Sequence, residues 1–181
     1  VLEGYLIVFG NLDEIIERRK EKADKPMLVL HPYEAIREDE DKYFTNNSIL
    51  EDEVILEGND GYILTVGNRF ETAIKLHKEL KALGKNVGVI NLRWIKPLRE
   101  GTLLPIIKKS PFIITLEENV KPAGFGSSIS ELITDNDIDT KLVRIAIQNG
   151  YTQTGDKEYL SKLENIDVDS ILDSLKKRDI I

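Results

Sequence analysis

Short apolar runs alternate with longer amphipathic segments along most of the chain. The runs at 62–66, 87–92, 112–116 and 141–147 are typical of strands buried on both faces of a parallel sheet. Between and after them, apolar residues recur at helical spacing at 70–83, 99–109 and 125–134. Strands that alternate with helices are joined by right-handed crossovers. The pattern therefore predicts a three-layer α/β/α domain whose mostly parallel, mixed sheet has about five strands.

The two ends of the chain carry further elements. Residues 5–9 and 27–30 are apolar runs bounded by glycine or proline, and they enclose an amphipathic segment that begins with the N-cap residue Asn11. This order predicts a strand, a helix over 11–24 and a second strand. Two C-terminal helices are also predicted, at 156–163 and 168–177.

The stretch between these parts is acidic. Residues 34–60 contain ten acidic residues, and Arg37 and Lys42 are its only bases. A run of one charge is usually a solvated segment, so we expect a connection with one short strand near 54–56. The predicted organisation is the end of a preceding α/β domain at 1–33, an acidic linker at 34–59 and a main domain at 60–181.

Composition narrows the function classes. The chain has 181 residues, a net charge of −7 and no cysteine. The absence of cysteine excludes thiolate chemistry and fits a cytoplasmic protein, and the negative charge argues against nucleic acid as a partner. No apolar run is long enough for a membrane span. Because the sequence lacks both an initiator methionine and signal-peptide features, we expect it to begin within a longer polypeptide.

Two consecutive acids, Glu117 and Glu118, end the apolar run at 112–116. Neighbouring side chains in a strand point to opposite faces, so the two carboxylates are not expected to converge on one substrate atom or one metal ion. The turn that follows contains Gly124 and Gly126. It could offer helix N-terminal amides to an anion, but tight backbone packing is the better-supported interpretation.

Arg93 and Lys96 follow the predicted strand at 87–92. An ion pair between Arg93 and either Glu117 or Glu118 would connect two neighbouring strand ends. We therefore predict that Arg93, Lys96, the two glutamates, Gly124 and Gly126 form a structural joint, with no catalytic and no metal-binding residue in the chain.

Other sites receive little support. The turn after 62–66 has neither the glycine pattern of a dinucleotide site nor the lysine of a P-loop. His77 lies on or beside the apolar stripe of its helix, where a packed residue is expected. His31 follows a strand end, but no neighbouring nucleophile is identifiable.

Three stretches in this order resemble a known family. They are "ILTVG" before an amphipathic helix, "RWIKPL" after the next strand, and "TLEEN" followed by "GFGSS". Over residues 60–175 they are similar to the C-terminal domain of the 1-deoxy-D-xylulose 5-phosphate synthase family, whose outline is shared with transketolases and 2-oxoacid dehydrogenase beta subunits. More faintly, the first 33 residues resemble the end of the pyrimidine-binding domain that precedes it.

The resemblance implies a thiamine-diphosphate-dependent transferase that requires Mg²⁺. Such an enzyme condenses pyruvate with glyceraldehyde 3-phosphate and releases CO2, and its product feeds isoprenoid, thiamine and pyridoxal synthesis. The family's cofactor residues lie upstream of this chain. We therefore expect a fragment that is inactive alone, binds no cofactor, packs against upstream domains of the same polypeptide and helps to form a homodimer.

The sequence departs from the family at two places. Where the family has Tyr-Pro-Arg, this chain has His31, Pro32 and Tyr33, and a tyrosine cannot supply the bidentate cationic fork of an arginine. His31 and Tyr33 are thus weak substrate-binding candidates. Where the family has His-Gly, this chain has Thr154 and Gly155. The alternatives are another transketolase-fold enzyme part, such as a transketolase or an oxoacid dehydrogenase beta subunit, and a non-catalytic α/β interaction module.

Overall fold

The computed structural model describes residues 25–30, 52–148, 150 and 153–181, together with the backbone of residues 5–8. The predicted helix at 11–24 lies outside the described residues. His31 and Tyr33 also lie outside them, so their suggested contact with substrate stays a prediction.

The described part of the chain contains eight strands and five α-helices. The strands are β1 (Tyr5–Val8), β2 (Met27–Leu30), β3 (Glu53–Leu56), β4 (Gly61–Thr65), β5 (Val87–Asn91), β6 (Trp94–Lys96), β7 (Phe112–Val120) and β8 (Lys141–Ile147). The helices are α1 (Phe70–Ala82), α2 (Glu100–Ile107), α3 (Phe125–Asp135), α4 (Lys157–Leu163) and α5 (Val168–Lys177). A short 3₁₀ turn, Gly67–Arg69, leads into α1.

The strands form two sheets. The larger has the order β3-β5-β4-β7-β8, with β3 antiparallel to β5 and every other pair parallel. The smaller has the order β2-β1-β6, in which β1 runs parallel to β2 and antiparallel to β6. Since β6 follows β5 after only two residues, the chain crosses from the larger sheet to the smaller at Leu92 and Arg93.

Two apolar layers cover the larger sheet. Side chains of α1 and α5 form one cluster with one face of the sheet, and this cluster includes Leu76, Leu80 and Ile171. Side chains of α2 and α3 form the second cluster with the other face, including Leu103 and Ile129. All five side chains are fully buried. The predicted three-layer α/β/α fold with a mixed, five-stranded sheet is therefore confirmed.

The strands and helices lie close to the positions predicted from the sequence, with two differences. Strand β7 continues through both acids to Val120, four residues beyond the predicted end at 116. Strand β6 was not predicted, because three residues between an arginine and a proline carry no periodic signal. The β3 strand confirms the short strand expected near 54–56.

Gly88 in β5 illustrates how tightly the sheet is packed. It pairs with Tyr62 in β4, and a Cβ added to Gly88 would lie 2.3 Å from the Tyr62 ring. The ring cannot easily move away, because its hydroxyl donates to the Glu57 carboxylate at 2.5 Å and accepts from the Gly58 amide at 3.2 Å. This position therefore requires glycine.

We predict that Gly88→Ala lowers the free energy of unfolding by about 1–3 kcal/mol, the range for overpacking a filled site. Urea denaturation measures it. The matched control is Gly101→Ala in α2, where an added Cβ meets nothing within 4 Å and alanine favours the helix by up to about 1 kcal/mol. Equal stability of both variants would contradict the packing argument.

Candidate functional site

The carboxyl ends of β4 and β7 meet in the middle of the larger sheet. From β4 the chain passes through α1 to β5 on one side, whereas from β7 it passes through α3 to β8 on the other. Parallel strands whose connections leave in opposite directions create a crevice at their carboxyl ends, which is where α/β sheets bind ligands. Asn68 and Arg69 follow β4 here, and Glu117 and Glu118 lie in β7.

Glu117 points into the protein and fastens the start of α3. Its side chain is 0% exposed. The Oε2 atom accepts a hydrogen bond from the Phe125 amide at 2.7 Å, and Oε1 accepts one from the Gly126 amide at 2.7 Å. Both amides belong to the first turn of α3, which has no other side-chain cap. The amides of the glycine turn thus do bind an anion, and this anion is a carboxylate of the same chain.

The two glycines of the turn allow this close approach. A Cβ on Gly124 would lie 2.6 Å from both Glu117 Oε2 and the Val120 carbonyl oxygen. A Cβ on Gly126 would lie 2.6 Å from Thr115 Oγ1 and 3.2 Å from Glu117 Oε1. Neither glycine has a positive φ, so the requirement comes from space and not from backbone conformation.

Electrostatics at Glu117 combine opposing effects. Burial raises the pKa of its carboxyl group, and it outweighs the hydrogen bonds from the Gly126 and Phe125 amides, the Asn119 side chain and the positive charge of Arg144, which all lower the pKa. Arg144 itself donates to the Lys121 carbonyl oxygen and to Ser127 Oγ at 2.7 Å, so it also fixes the turn before α3. With both oxygens occupied by amides, Glu117 is placed to hold the start of α3.

Glu118 faces the crevice instead. Its carboxylate forms a close ion pair with the Arg69 guanidinium and accepts from the Asn68 side-chain amide at 3.1 Å. Arg69 is 3% exposed and also donates to Ser161 Oγ in α4 at 3.2 Å. This chain of contacts connects the end of β4, the end of β7 and the C-terminal helices. The two acids therefore face opposite ways, as strand geometry predicts.

The prediction that Arg93 forms an ion pair with Glu117 or Glu118 is wrong. Arg93 is 1% exposed and pairs with Glu53 of β3 at 3.2 Å. The reason is strand order, because β5 ends beside β3 on one side and β4 separates it from β7 on the other. Nothing in the sequence pattern predicts that β3 pairs with β5.

Asp52 completes the cluster around Arg93. Its Oδ1 accepts from the Arg93 amide at 2.9 Å and from the Trp94 amide at 3.2 Å, at the point where the chain crosses between the sheets. The Arg99 guanidinium lies 4.1 Å over the Trp94 ring. Asp52 and Glu53 are both buried, so the end of the acidic connection is part of the interior and not solvated as expected.

The predicted joint is thus divided. The structure brings Glu117, Gly124 and Gly126 together at the start of α3, and Glu118 pairs with Arg69 at the central crevice. Lys96, an exposed residue of β6, lines a cavity with Glu118 and Gly124, whereas Arg93 lies apart in the Asp52–Glu53 cluster. Whether these residues act as a joint between parts of a larger protein stays a prediction.

Sequence reasoning missed Arg69 and Ser161. The turn that contains Arg69 lacks a dinucleotide motif, but it follows a predicted strand, so its side chains belong to the carboxyl edge of the predicted sheet. Ser161 carries no such signal. His77 is packed as predicted, with Nδ1 2.7 Å from the Val87 carbonyl oxygen.

No group of three or more His, Asp or Glu side chains within the described ranges could hold a metal ion. No helix within these ranges is long and apolar enough to span a bilayer.

Comparison with known proteins places the chain in a family. Residues 51–171 match the family model described as transketolase, C-terminal domain, which is more than half of the chain. A 1-deoxy-D-xylulose-5-phosphate synthase from Caldanaerobacter subterraneus subsp. tengcongensis is 35% identical over 126 residues, covering 70% of this chain and 20% of that protein. The synthase of Halothermothrix orenii is 31% identical over 156 residues, covering 85% of this chain and 24% of that protein. The chain thus spans about a quarter or less of the length of these relatives.

Two solved structures share the fold. A split-gene transketolase, in an inactive beta4 tetramer, has a TM-score of 0.79 at 19% identity and covers 96% of this chain and 56% of that one. A transketolase variant from Pichia stipitis has a TM-score of 0.68 at 15% identity and covers 96% of this chain and 25% of that one. At these identities the likeness establishes the fold alone.

Glu117→Gln is expected to lower the free energy of unfolding by about 1–3 kcal/mol, because the new NH2 group leaves one buried amide of α3 without an acceptor. Thermal or urea denaturation measures it. Glu131→Gln, an exposed site on the same helix, is the control and should stay within about 0.5 kcal/mol. A harmless Glu117→Gln would mean that the carboxylate does not hold the helix.

The stability of the Asp52→Asn variant should depend on pH differently from that of the wild-type protein. Burial raises the pKa of Asp52 above its ordinary value of 3.8, outweighing the amide hydrogen bonds and the charges of Arg99 and Arg93. The stability that this group contributes is therefore complete below pH 3.8 and is lost as pH rises through the folded-state pKa. Asparagine keeps the Oδ1 acceptor without the ionisation.

We accordingly expect Asp52→Asn to become more stable relative to wild type as pH rises above 3.8, with no further change once the folded-state pKa is passed. Denaturation of both proteins across this pH range gives the difference directly, and Glu117 titrates equally in both. A difference that is flat or decreases with pH would contradict the assignment.

Proposed function

The chain belongs to the transketolase C-terminal domain family, and on this basis we propose that it is the C-terminal region of a 1-deoxy-D-xylulose-5-phosphate synthase. Synthase relatives at 31–40% identity support this within the wider family. The structural observation that carries the proposal is the end of β7, where the "TLEEN" and "GFGSS" segments of the resemblance pack together through Glu117.

The activity proposed for the whole protein is the condensation of pyruvate with glyceraldehyde 3-phosphate, with loss of CO2. Thiamine diphosphate, held by Mg²⁺, would supply the carbanion chemistry. The product is a precursor of isoprenoids, thiamine and pyridoxal. A cytoplasmic homodimer belongs to the same proposal.

The described residues do not fit the cofactor. The acids nearest the central crevice, Glu117 and Glu118, are engaged by backbone amides and by Arg69. We therefore assign diphosphate and Mg²⁺ binding, and with them the catalytic steps, to upstream domains of the same polypeptide. Its own contribution is to pack against those domains and to support dimerisation.

A fusion enzyme tests the proposal. The C-terminal region of the Caldanaerobacter synthase would be replaced by residues 51–181 of this chain, and CO2 release from pyruvate would be measured with and without glyceraldehyde 3-phosphate. We expect activity that requires both substrates and falls in the Glu117→Gln fusion, with Glu131→Gln as control. A folded, dimeric fusion without activity would overturn the proposal.

Calorimetry on the 181-residue chain tests where the cofactor binds. Thiamine diphosphate with Mg²⁺ is expected to give no saturable heat, and the chain should release no CO2 from pyruvate. Tight binding would show that the cofactor site lies in this chain and would overturn the assignment to upstream domains.

A further inference from the structure

A cavity of about 400 Å³ opens beside the Arg69–Glu118 ion pair. It lies at the carboxyl ends of β4, β7 and β8, next to the position where the connections of the sheet change direction. That position is where open α/β sheets bind ligands, and the volume falls within the range of small-molecule sites. The synthase proposal assigns no role to this cavity.

One wall of the cavity is a fixed pair of opposite charges. The Arg69 guanidinium is held by Glu118 and by Ser161, so neither charged side chain is free to rotate. Among the described residues, Arg69 Nε is buried and has no hydrogen-bond acceptor, which leaves the guanidinium with unused donor capacity. Such a preorganised pair can bind polar groups at low entropic cost.

Asn68, three aliphatic side chains and two further charged side chains complete the lining. Ile147, Leu160 and Ile166 provide aliphatic surface, and Lys157 and Glu164 add one charge of each sign. Among the described lining residues, the charges are therefore balanced. A ligand with a single charge would meet a like charge on the wall, whereas a ligand with both charges would align opposite the ion pair.

We propose that this cavity binds a small zwitterion with an apolar side chain, of the α-amino acid class. The carboxylate of the ligand lies on the Arg69 side and its ammonium group on the side of Glu118 and Glu164. The side chain of the ligand packs on Ile147, Leu160 and Ile166. The proposal is independent of the synthase assignment, because the synthase proposal gives this cavity no role.

The test uses L-leucine as the probe and the 181-residue chain as the protein. Binding is followed by calorimetry and by amide chemical shifts. We expect saturable binding of L-leucine, with shifts around Arg69 and Ser161. Binding should be at least about tenfold weaker for 4-methylpentanoate, which lacks the ammonium group, and for 3-methylbutylamine, which lacks the carboxylate.

The test variant is Glu164→Gln, which removes one negative charge from the lining and should weaken L-leucine binding several-fold. Glu158→Gln is the matched control, because Glu158 lies in α4, the helix that Glu164 directly follows, is exposed and does not line the cavity. Absence of saturable binding, equal binding of the three probes, or an unchanged affinity in Glu164→Gln would each overturn the proposal. None of these results would bear on the synthase activity, which the fusion enzyme measures separately.

Discussion

The contact between the Glu117 carboxylate and the first turn of α3 organises the carboxyl edge of the larger sheet. A helix N-terminus leaves backbone amides without partners, and here two of them point at a fully buried side chain. The contact needs Gly124 and Gly126, since a side chain at either would occupy the space of the carboxylate or its neighbours. The contact therefore fixes the start of α3 against the end of β7.

Ion pairs of buried arginines connect parts of the chain that are distant in sequence. Arg93 and Glu53 hold β3 against β5, and Arg69 and Glu118 hold the end of β4 against β7. Moving charged groups out of water costs free energy, and the attraction within such an ion pair does little more than offset that cost. Removing one partner is costly, however, because the other charge then stays buried without compensation. We infer that these pairs mainly determine which strand ends and helices meet, with the apolar layers providing most of the stability.

The fold followed from the sequence because strands and helices differ in apolar period. Runs such as 87–92 and 141–147 are visible without any knowledge of neighbours, and the observed strands coincide with them closely. Partners of charged residues were harder to predict, since they depend on strand order. Arg93 was assigned to the wrong glutamate because nothing in the acidic segment indicates that Glu53 forms an edge strand beside β5. The direction of Glu117 and Glu118 was accessible, because it depends only on alternation along a strand.

That alternation also explains why two consecutive acids occur at this place. One residue of such a pair must face the layer that contains α3, and the next must face the crevice between β4 and β7. Glu117 thereby meets the α3 amides, and Glu118 meets Arg69 at the edge of a cavity. A single acid could not do both, and two acids separated by one residue would face the same way. The consecutive pair is therefore the shortest sequence that closes one side of the sheet while placing a charge at the side that stays open.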